Sequence, residues 1–254
     1  MLHCPNSEGH AVAFKIFRNS LSIQAAFNYH GMQNLGFAFS LLPLARELKD
    51  DKERLTSFFT RHLQLFNTHP YLSAAVIGSV VRLERNGGKA DVAGNATVNL
   101  KNALAGPYAA LGDSFFWGAM KPLAAVIGVL LAWQSSLMAP LALLILYNPV
   151  HFWVRIAGFV EGYRRGMEGV DFIKRLDLPR VTRRIRQLSL LGLSGIALMA
   201  SPSFRLASPG LTFSLLAQGI YLSLIILCYW GIRKGLSQVK MLYWMFIVSC
   251  ALSI

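Results

Sequence analysis

Short blocks of apolar residues, separated by charge clusters and by Gly and Pro, organise this chain. Tyr71 to Val81, Leu123 to Trp133 and Leu137 to Tyr147 are almost wholly apolar, yet each is shorter than the roughly 20 residues a simple spanning helix needs. Blocks of that length predict re-entrant or paired half-helices. Leu211 to Ile232 is the one run long enough to span alone; it carries no charge and is followed by Arg233-Lys234. With Leu188 to Ala200 before it and Met241 to Leu252 after it, this run sets off a C-terminal part of transmembrane segments, 188–254, from a first part, 1–187.

The blocks that are not continuously apolar predict a surface. Phe14, Phe17, Leu21 and Ala25 recur at helical spacing within Phe14 to Asn28, with Lys15 and Arg18 beside them, as in an amphipathic helix lying in a membrane interface. The charge-rich stretch Arg46 to Arg61 predicts a solvated helical hairpin, and Arg82 to Gly94, with Gly87-Gly88, a surface loop. The pattern as a whole predicts a mainly α polytopic membrane protein with interrupted and re-entrant helices plus a cytoplasmic or interfacial helical part.

Composition sharpens this reading. Hydrophobic residues make up 54% of the chain and charged residues 15%, which is more apolar than soluble domains usually are. The net charge of +13 would suit nucleic acid, but eight of the 25 basic residues crowd between Arg164 and Arg186, beside apolar segments. That placement favours the positive-inside rule and anionic lipid headgroups over a nucleic-acid face. It predicts that the N-terminal region and the 164–186 cluster are cytoplasmic and the C-terminus external, although Arg205 would then stand in the external turn. The N-terminus lacks a signal peptide's pattern, so insertion is expected to use internal segments. Cys4, Cys228 and Cys250 have neither framework nor zinc spacing.

Against this background one carboxylate stands out. From Val92 to Val160 the only acid is Asp113, and the only basic residues are Lys101, Lys121 and Arg155. Asp113 follows a Gly106-Pro107 pair expected to break the helix, and an ionisable group at membrane depth marks a functional site by default. Ser114 adjoins it, and Trp117, one turn on, would offer an aromatic face to a pyranose. Asn67 and His69, in Asn67-Thr68-His69-Pro70, can each donate and accept hydrogen bonds. Asn28, Gln33 and Asn34 form a further polar group ahead of the apolar run Leu35 to Leu44. Each has a plainer reading: Asn, Thr and Asp cap helices, and Pro opens them. Lys121 is expected to snorkel to an interface. His30 and His62 lack a ligand set for a metal, and His3, His10 and His151 stand alone. No nucleotide-binding glycine motif occurs, so neither metal nor cofactor is expected.

Three strings together carry a resemblance: FNYHGMQNLGF at Phe27 to Phe37, FNTHPYL at Phe66 to Leu72, and GPYAALGDSFFWGAMKPL at Gly106 to Leu123. In order and spacing they resemble the IID subunit of mannose-class (mannose/fructose/sorbose) sugar phosphotransferase systems, and the Pro209 to Gly235 tail is similar to that family's closing membrane hairpin. The resemblance implies a multi-pass protein of the bacterial inner membrane that pairs with a IIC subunit, in a higher-order oligomer, to translocate a hexose. Separate IIA and IIB parts would carry the phosphoryl group. It also raises Asn28, Gln33 and Asn34 to candidate solute contacts beside Asn67, His69, Asp113, Ser114 and Trp117. Two departures stand out: a short polar stretch at Ser201 to Gly210, and Tyr108 and Ala110 where the family more often has smaller or apolar residues. A non-transporting scaffold and a membrane-embedded enzyme remain alternatives, though Ser114 has no nucleophile-elbow context.

Overall fold

The computed structural model describes residues 7–86, 90–134 and 137–200, and beyond those only scattered positions between 219 and 247. Its described elements are helical: α1 (Ser7–Ser20), α2 (Asn34–Ala45), α3 (Lys52–His62), α4 (Ser73–Asn86), α5 (Ala90–Gly112), α6 (Lys121–Trp133), α7 (Met138–Arg165), α8 (Asp171–Arg175) and α9 (Leu178–Ala200). Short 3-10 segments, Arg46–Leu48 and Gly166–Val170, and a π-helical segment, Asp113–Met120, join some of them. The chain divides into two compact units, Met1–Leu193 and Ser194–Ile254. The three cysteines and the closing apolar runs lie outside the described residues. Two stretches, Gly94–Trp133 and Met138–Ala197, are long and apolar enough to cross a membrane.

α4 and α7 form the centre of the first unit because their facing residues are small. Gly158 and Gly162 of α7 lie against Ala75 and Ser79 of α4, and Gly78 of α4 lies against the Phe159 and Tyr163 backbone. Glycines four apart let helix backbones approach closely, which is how membrane helices gain packing energy without a hydrophobic drive. α6 and α7 pack side by side, with Gly128 of α6 against Leu143 of α7, but the two short apolar blocks are not half-helices: the first ends the long stretch Gly94–Trp133 and the second opens the 28-residue α7. α7 ends at Gly166, whose φ of +63° closes the helix in a conformation that suits glycine.

Several local expectations are corrected. The amphipathic helix begins earlier and buries a different stripe: Ala13, Ile16 and Ser20, with Ile23 after the helix end, face inward. Phe14 and Leu21 are exposed, which leaves them free for an interface. Within Arg82 to Gly94, residues 82–86 belong to α4 and 90–94 to α5, so these parts are helix rather than surface loop, while Gly87-Gly88 lies outside the described residues. The Gly106-Pro107 pair does not break α5 either. Proline at 107 removes one N–H, and the helix continues until the ladder widens into the π segment six residues later. Of the predicted solvated hairpin, α3 is genuine and starts with Asp51 accepting a hydrogen bond from the Arg54 N–H at 3.0 Å. Arg61, at its far end, is instead half-buried in an ion pair. Tyr108, one of the two departures from the family pattern, is buried, and its hydroxyl donates to the Val170 carbonyl at 3.0 Å, tying α5 to the turn after α7.

Candidate functional site

The three strings, far apart in sequence, meet around the loop that leads into α4. Residues 28–32 form a tight turn with Met32 at φ 57°, and its edge pairs with the second string: Gln33 N–H donates to Phe66 O at 2.9 Å and Phe66 N–H to Gly31 O at 3.3 Å. The Gln33 side chain completes the tie, donating to Thr68 O at 2.7 Å and accepting from Thr68 N–H at 3.1 Å. Asn28 donates to Asn34 Oδ1 at 3.1 Å, and Asn34 donates to Leu63 O at 2.7 Å. Their amides thus hold the loop that presents Asn67 and His69.

His69 then joins the second string to the third. Only 1% exposed, its ring stacks on Phe116 at 5.0 Å and 15°, with Trp117 at 4.9 Å and Tyr71 at 4.8 Å around it. Gly112 lies against the His69 side chain so closely that no Cβ fits there. Nδ1 accepts from Tyr71 N–H at 3.3 Å, and Nε2 is buried with no partner. Asp113, beside Gly112, is exposed, as is Asn67. It is not an N-cap, because helical backbone precedes it. Ser114 Oγ accepts from Arg186 at 3.1 Å, and the same guanidinium donates to Gly118 O at 3.2 Å, a carbonyl of the π segment. π segments recur at functional sites because they turn carbonyls and side chains out of helical register.

On the other side of Tyr71 lies a cluster the sequence reading did not assign. His151 stacks on Tyr71 at 4.4 Å and 17°, the Arg155 guanidinium lies 4.7 Å from the same ring, and Tyr147 O–H donates to Tyr71 Oη at 3.2 Å. Tyr147, His151 and Arg155 recur every four residues along one face of α7, a polar period readable in sequence. All three lone cations of the 92–160 stretch are held by neighbours. Lys121 is exposed, and its ammonium sits 5.5 Å from the Trp117 ring and 5.9 Å from Tyr147. Lys101 donates to Arg61 O at 3.1 Å and His62 O at 3.4 Å, capping the C-terminus of α3.

Next to Lys101, Glu84 accepts two hydrogen bonds from Arg61, at 2.9 and 2.6 Å, and contacts His62 Nε2 at 3.1 Å. Burial opposes ionisation of Glu84, but hydrogen bonds from His62 and Arg61 outweigh it and hold the carboxyl at about 2. Burial pushes the His62 imidazole down to about 4, against the raising effect of Glu84. Both folded values lie below the ordinary values of 6.5 for His62 and 4.5 for Glu84. The native state therefore keeps this stability above about pH 6.5 and loses it as pH falls, first through His62 and then through Glu84. The melting temperature in detergent is expected to drop between about pH 7 and pH 5, and His62→Gln, which donates without titrating, to flatten the drop. A wild-type profile as flat as the variant's would remove His62 from this role.

The sequence is similar to known proteins over most of its length. The model of the mannose/fructose/sorbose family IID component of phosphotransferase systems matches residues 10–254. The mannose-specific EIID component of Escherichia coli K12 is 34% identical over 180 residues, 70% of this chain and 62% of that protein. The matched part thus spans less than two thirds of that relative. The fructose permease IID component of Bacillus subtilis 168 is 26% identical over 255 residues, 92% of each chain. Among solved structures, a chain in the cryo-EM structure of the mannose transporter ManYZ with microcin E492 is 28% identical, with a TM-score of 0.57 over 95% of this chain and 94% of that one. Another, described as a membrane protein, is 27% identical with a TM-score of 0.67 over 95% of both.

Proposed function

This chain belongs to the mannose/fructose/sorbose family of phosphotransferase-system IID components, and from that premise we propose that it is a membrane permease subunit which forms, with a IIC partner, the path of a hexose. The observation that carries this reading is the orphaned Nε2 of His69, buried between Trp117 and Tyr71 and one residue contact away from Asp113. A buried polar atom without a partner is costly unless a ligand group completes it. A sugar supplies the match: a hydroxyl for Nε2, further hydroxyls for Asp113 and Asn67, and an apolar ring face for Trp117, which is 42% exposed. In this reading Ser114 contributes through Arg186, and Gln33, Asn34 and Asn28 act by fixing the loop from behind, since their amides are taken up by Thr68, Leu63 and one another.

The chain then carries no catalysis and needs no metal or cofactor. Phosphoryl transfer belongs to IIA and IIB components that receive the sugar on the cytoplasmic side. In this reading it is a multi-pass protein of the bacterial inner membrane, with the 164–186 cluster cytoplasmic and the C-terminus outside, working in a higher-order oligomer of IIC–IID pairs.

Asp113 tests the site. Asn keeps the shape and one acceptor oxygen but removes the charge-assisted bond, a loss of about 1.5 to 3 kcal/mol for a dry group. Because Asp113 is exposed in this chain, the lower end applies, and uptake of labelled mannose, fructose or sorbose by the co-expressed IIC–IID complex should fall about tenfold in Asp113→Asn. Normal uptake of every sugar that wild type carries would take Asp113 out of the site.

A further inference from the structure

α7 presents two features that the sugar path does not use. The first is a charge without a counter-charge. Arg155 is 8% exposed, its Nε has no partner, and its contact is the Tyr71 ring. His151, one turn earlier and also 8% exposed, spends Nε2 on Asn148 Oδ1 at 3.0 Å and leaves Nδ1 unpartnered. Among the described residues no carboxylate pairs with Arg155, and Asp113, the one acid between Val92 and Val160, pairs with neither. A ring face attracts a guanidinium but does not neutralise it. A cation at membrane depth calls for an anion.

The second feature is an uncovered helix stripe along the edge of that site. Leu141, Ile145, Phe152 and Ile156 are all exposed, and half-buried Asn148 lies in the middle of their row. The steps of three and four residues describe one helix face, the spacing at which a second helix packs. Acyl chains would cover the apolar members, but they offer nothing to Asn148 or to the guanidinium at the stripe's margin. A helix carrying one acidic side chain satisfies all of them, since a planar guanidinium takes a carboxylate through two parallel hydrogen bonds.

We propose that this face of α7 docks a helix of the second membrane chain, and that an Asp or Glu of that helix pairs with Arg155 beside His151, so that the ion pair forms only on assembly. The inference rests on the reading of this chain as one half of a permease pair. It makes Arg155 an assembly residue, distinct from the sugar contacts around His69.

The experiment co-expresses the full chain with a tagged cognate IIC chain and measures how much of it is recovered through the tag from detergent-solubilised membranes. Arg155→Met and Arg155→Glu should reduce recovery about tenfold or more, as loss of a buried charge pair does, and Arg155→Lys should reduce it less. Arg155→Met removes an unpaired charge from the free chain, so its melting temperature alone should hold or rise, which separates docking from folding. Exchanging one membrane-embedded acid of the partner for Arg should restore recovery with Arg155→Glu. Wild-type recovery of both Arg155→Met and Arg155→Glu overturns the proposal, as does native mass spectrometry in which Arg155→Met loses a bound anionic phospholipid while the partner is retained. If the wild-type chain itself fails to pair, the permease reading falls with it; if wild type pairs and the variants pair equally, only this proposal falls.

Discussion

Gly162→Leu should leave almost no folded chain in the membrane, a drop in accumulated protein of well over tenfold. A Cβ at this position meets the Ala75 carbonyl oxygen at less than contact distance, with Ser79 N at 2.8 Å and Ser79 Oγ at 2.9 Å close behind. Those atoms are mostly backbone of α4 and cannot swing aside. The two helices must separate, and the neighbouring contacts of Gly158 with Ala75 and of Gly78 with the Phe159 carbonyl separate with them. Close backbone packing is the main source of association energy between apolar helices in lipid, so its loss is not compensated by burial elsewhere. The loop holding His69 enters α4 directly, and the candidate site would be lost along with the interface. Gly162→Ala should lie between wild type and Leu. Gly106→Ala is the matched control, because nothing stands within 4 Å of a Cβ there. Accumulation of Gly162→Leu at the level of Gly106→Ala, measured by quantitative blotting of membranes, would show that the α4–α7 contact does not govern folding.

Element type was legible in this sequence, and element boundaries were less so. Apolar runs such as Leu35 to Leu44 became α2 almost unchanged, since a continuous apolar block interrupted only by Gly36, Ser40 and Pro43 has few alternatives. The sequence pattern shifts α1 towards Asn28 because Phe14 and Phe17 dominate it, whereas the buried stripe is made of smaller residues, Ala13, Ile16 and Ser20. Gly106-Pro107 looked like a break because proline removes one hydrogen bond; a long helix packed along its length absorbs that loss. Nothing in DSFFWGAM announces a π segment, whose stabilising partner, Arg186, lies 68 residues from the carbonyl it binds.

The site shows the same division. The residues His69, Asp113 and Trp117 were recognisable by type, and the structure brings them together through Gly112, whose lack of a side chain was not read as a packing requirement. Asn28 and Asn34 were as visible, yet their amides bond to each other and to Leu63 O. Glu84 was hidden because its partners, Arg61 and His62, come from another helix, and single-sequence reasoning sees charge pairs only at helical spacing. The glycines at 158 and 162 and the polar face of Tyr147, His151 and Arg155 were readable at steps of four. They lie at and beyond the end of the apolar block Leu137 to Tyr147, where hydropathy carries no signal.

His69 can be dissected nitrogen by nitrogen. Asn at this position places Oδ1 near Nδ1, so the bond from Tyr71 N–H at 3.3 Å survives while the group at Nε2 disappears. Gln carries its amide further out, near Nε2, and gives up the bond to Tyr71 N–H. If Nε2 is completed by a sugar hydroxyl, His69→Asn should reduce hexose uptake by the co-expressed complex about a hundredfold: the site loses the hydrogen bond and the ring that lines up Phe116 and Trp117, together near 3 kcal/mol. His69→Gln should retain about a tenth or more of wild-type uptake, since an amide both donates and accepts as imidazole does. A purely structural His69 predicts the reverse order. Nδ1 would then be the working atom, Asn the milder change, and removal of the orphaned Nε2 would cost nothing, because an unpartnered buried nitrogen stabilises no fold. Measuring accumulation and melting temperature beside uptake separates the two roles: uptake must fall in Asn further than in Gln while both accumulate. Equal uptake in the two variants, or more in Asn, would return His69 to the packing of Phe116 and leave the sugar path to other residues.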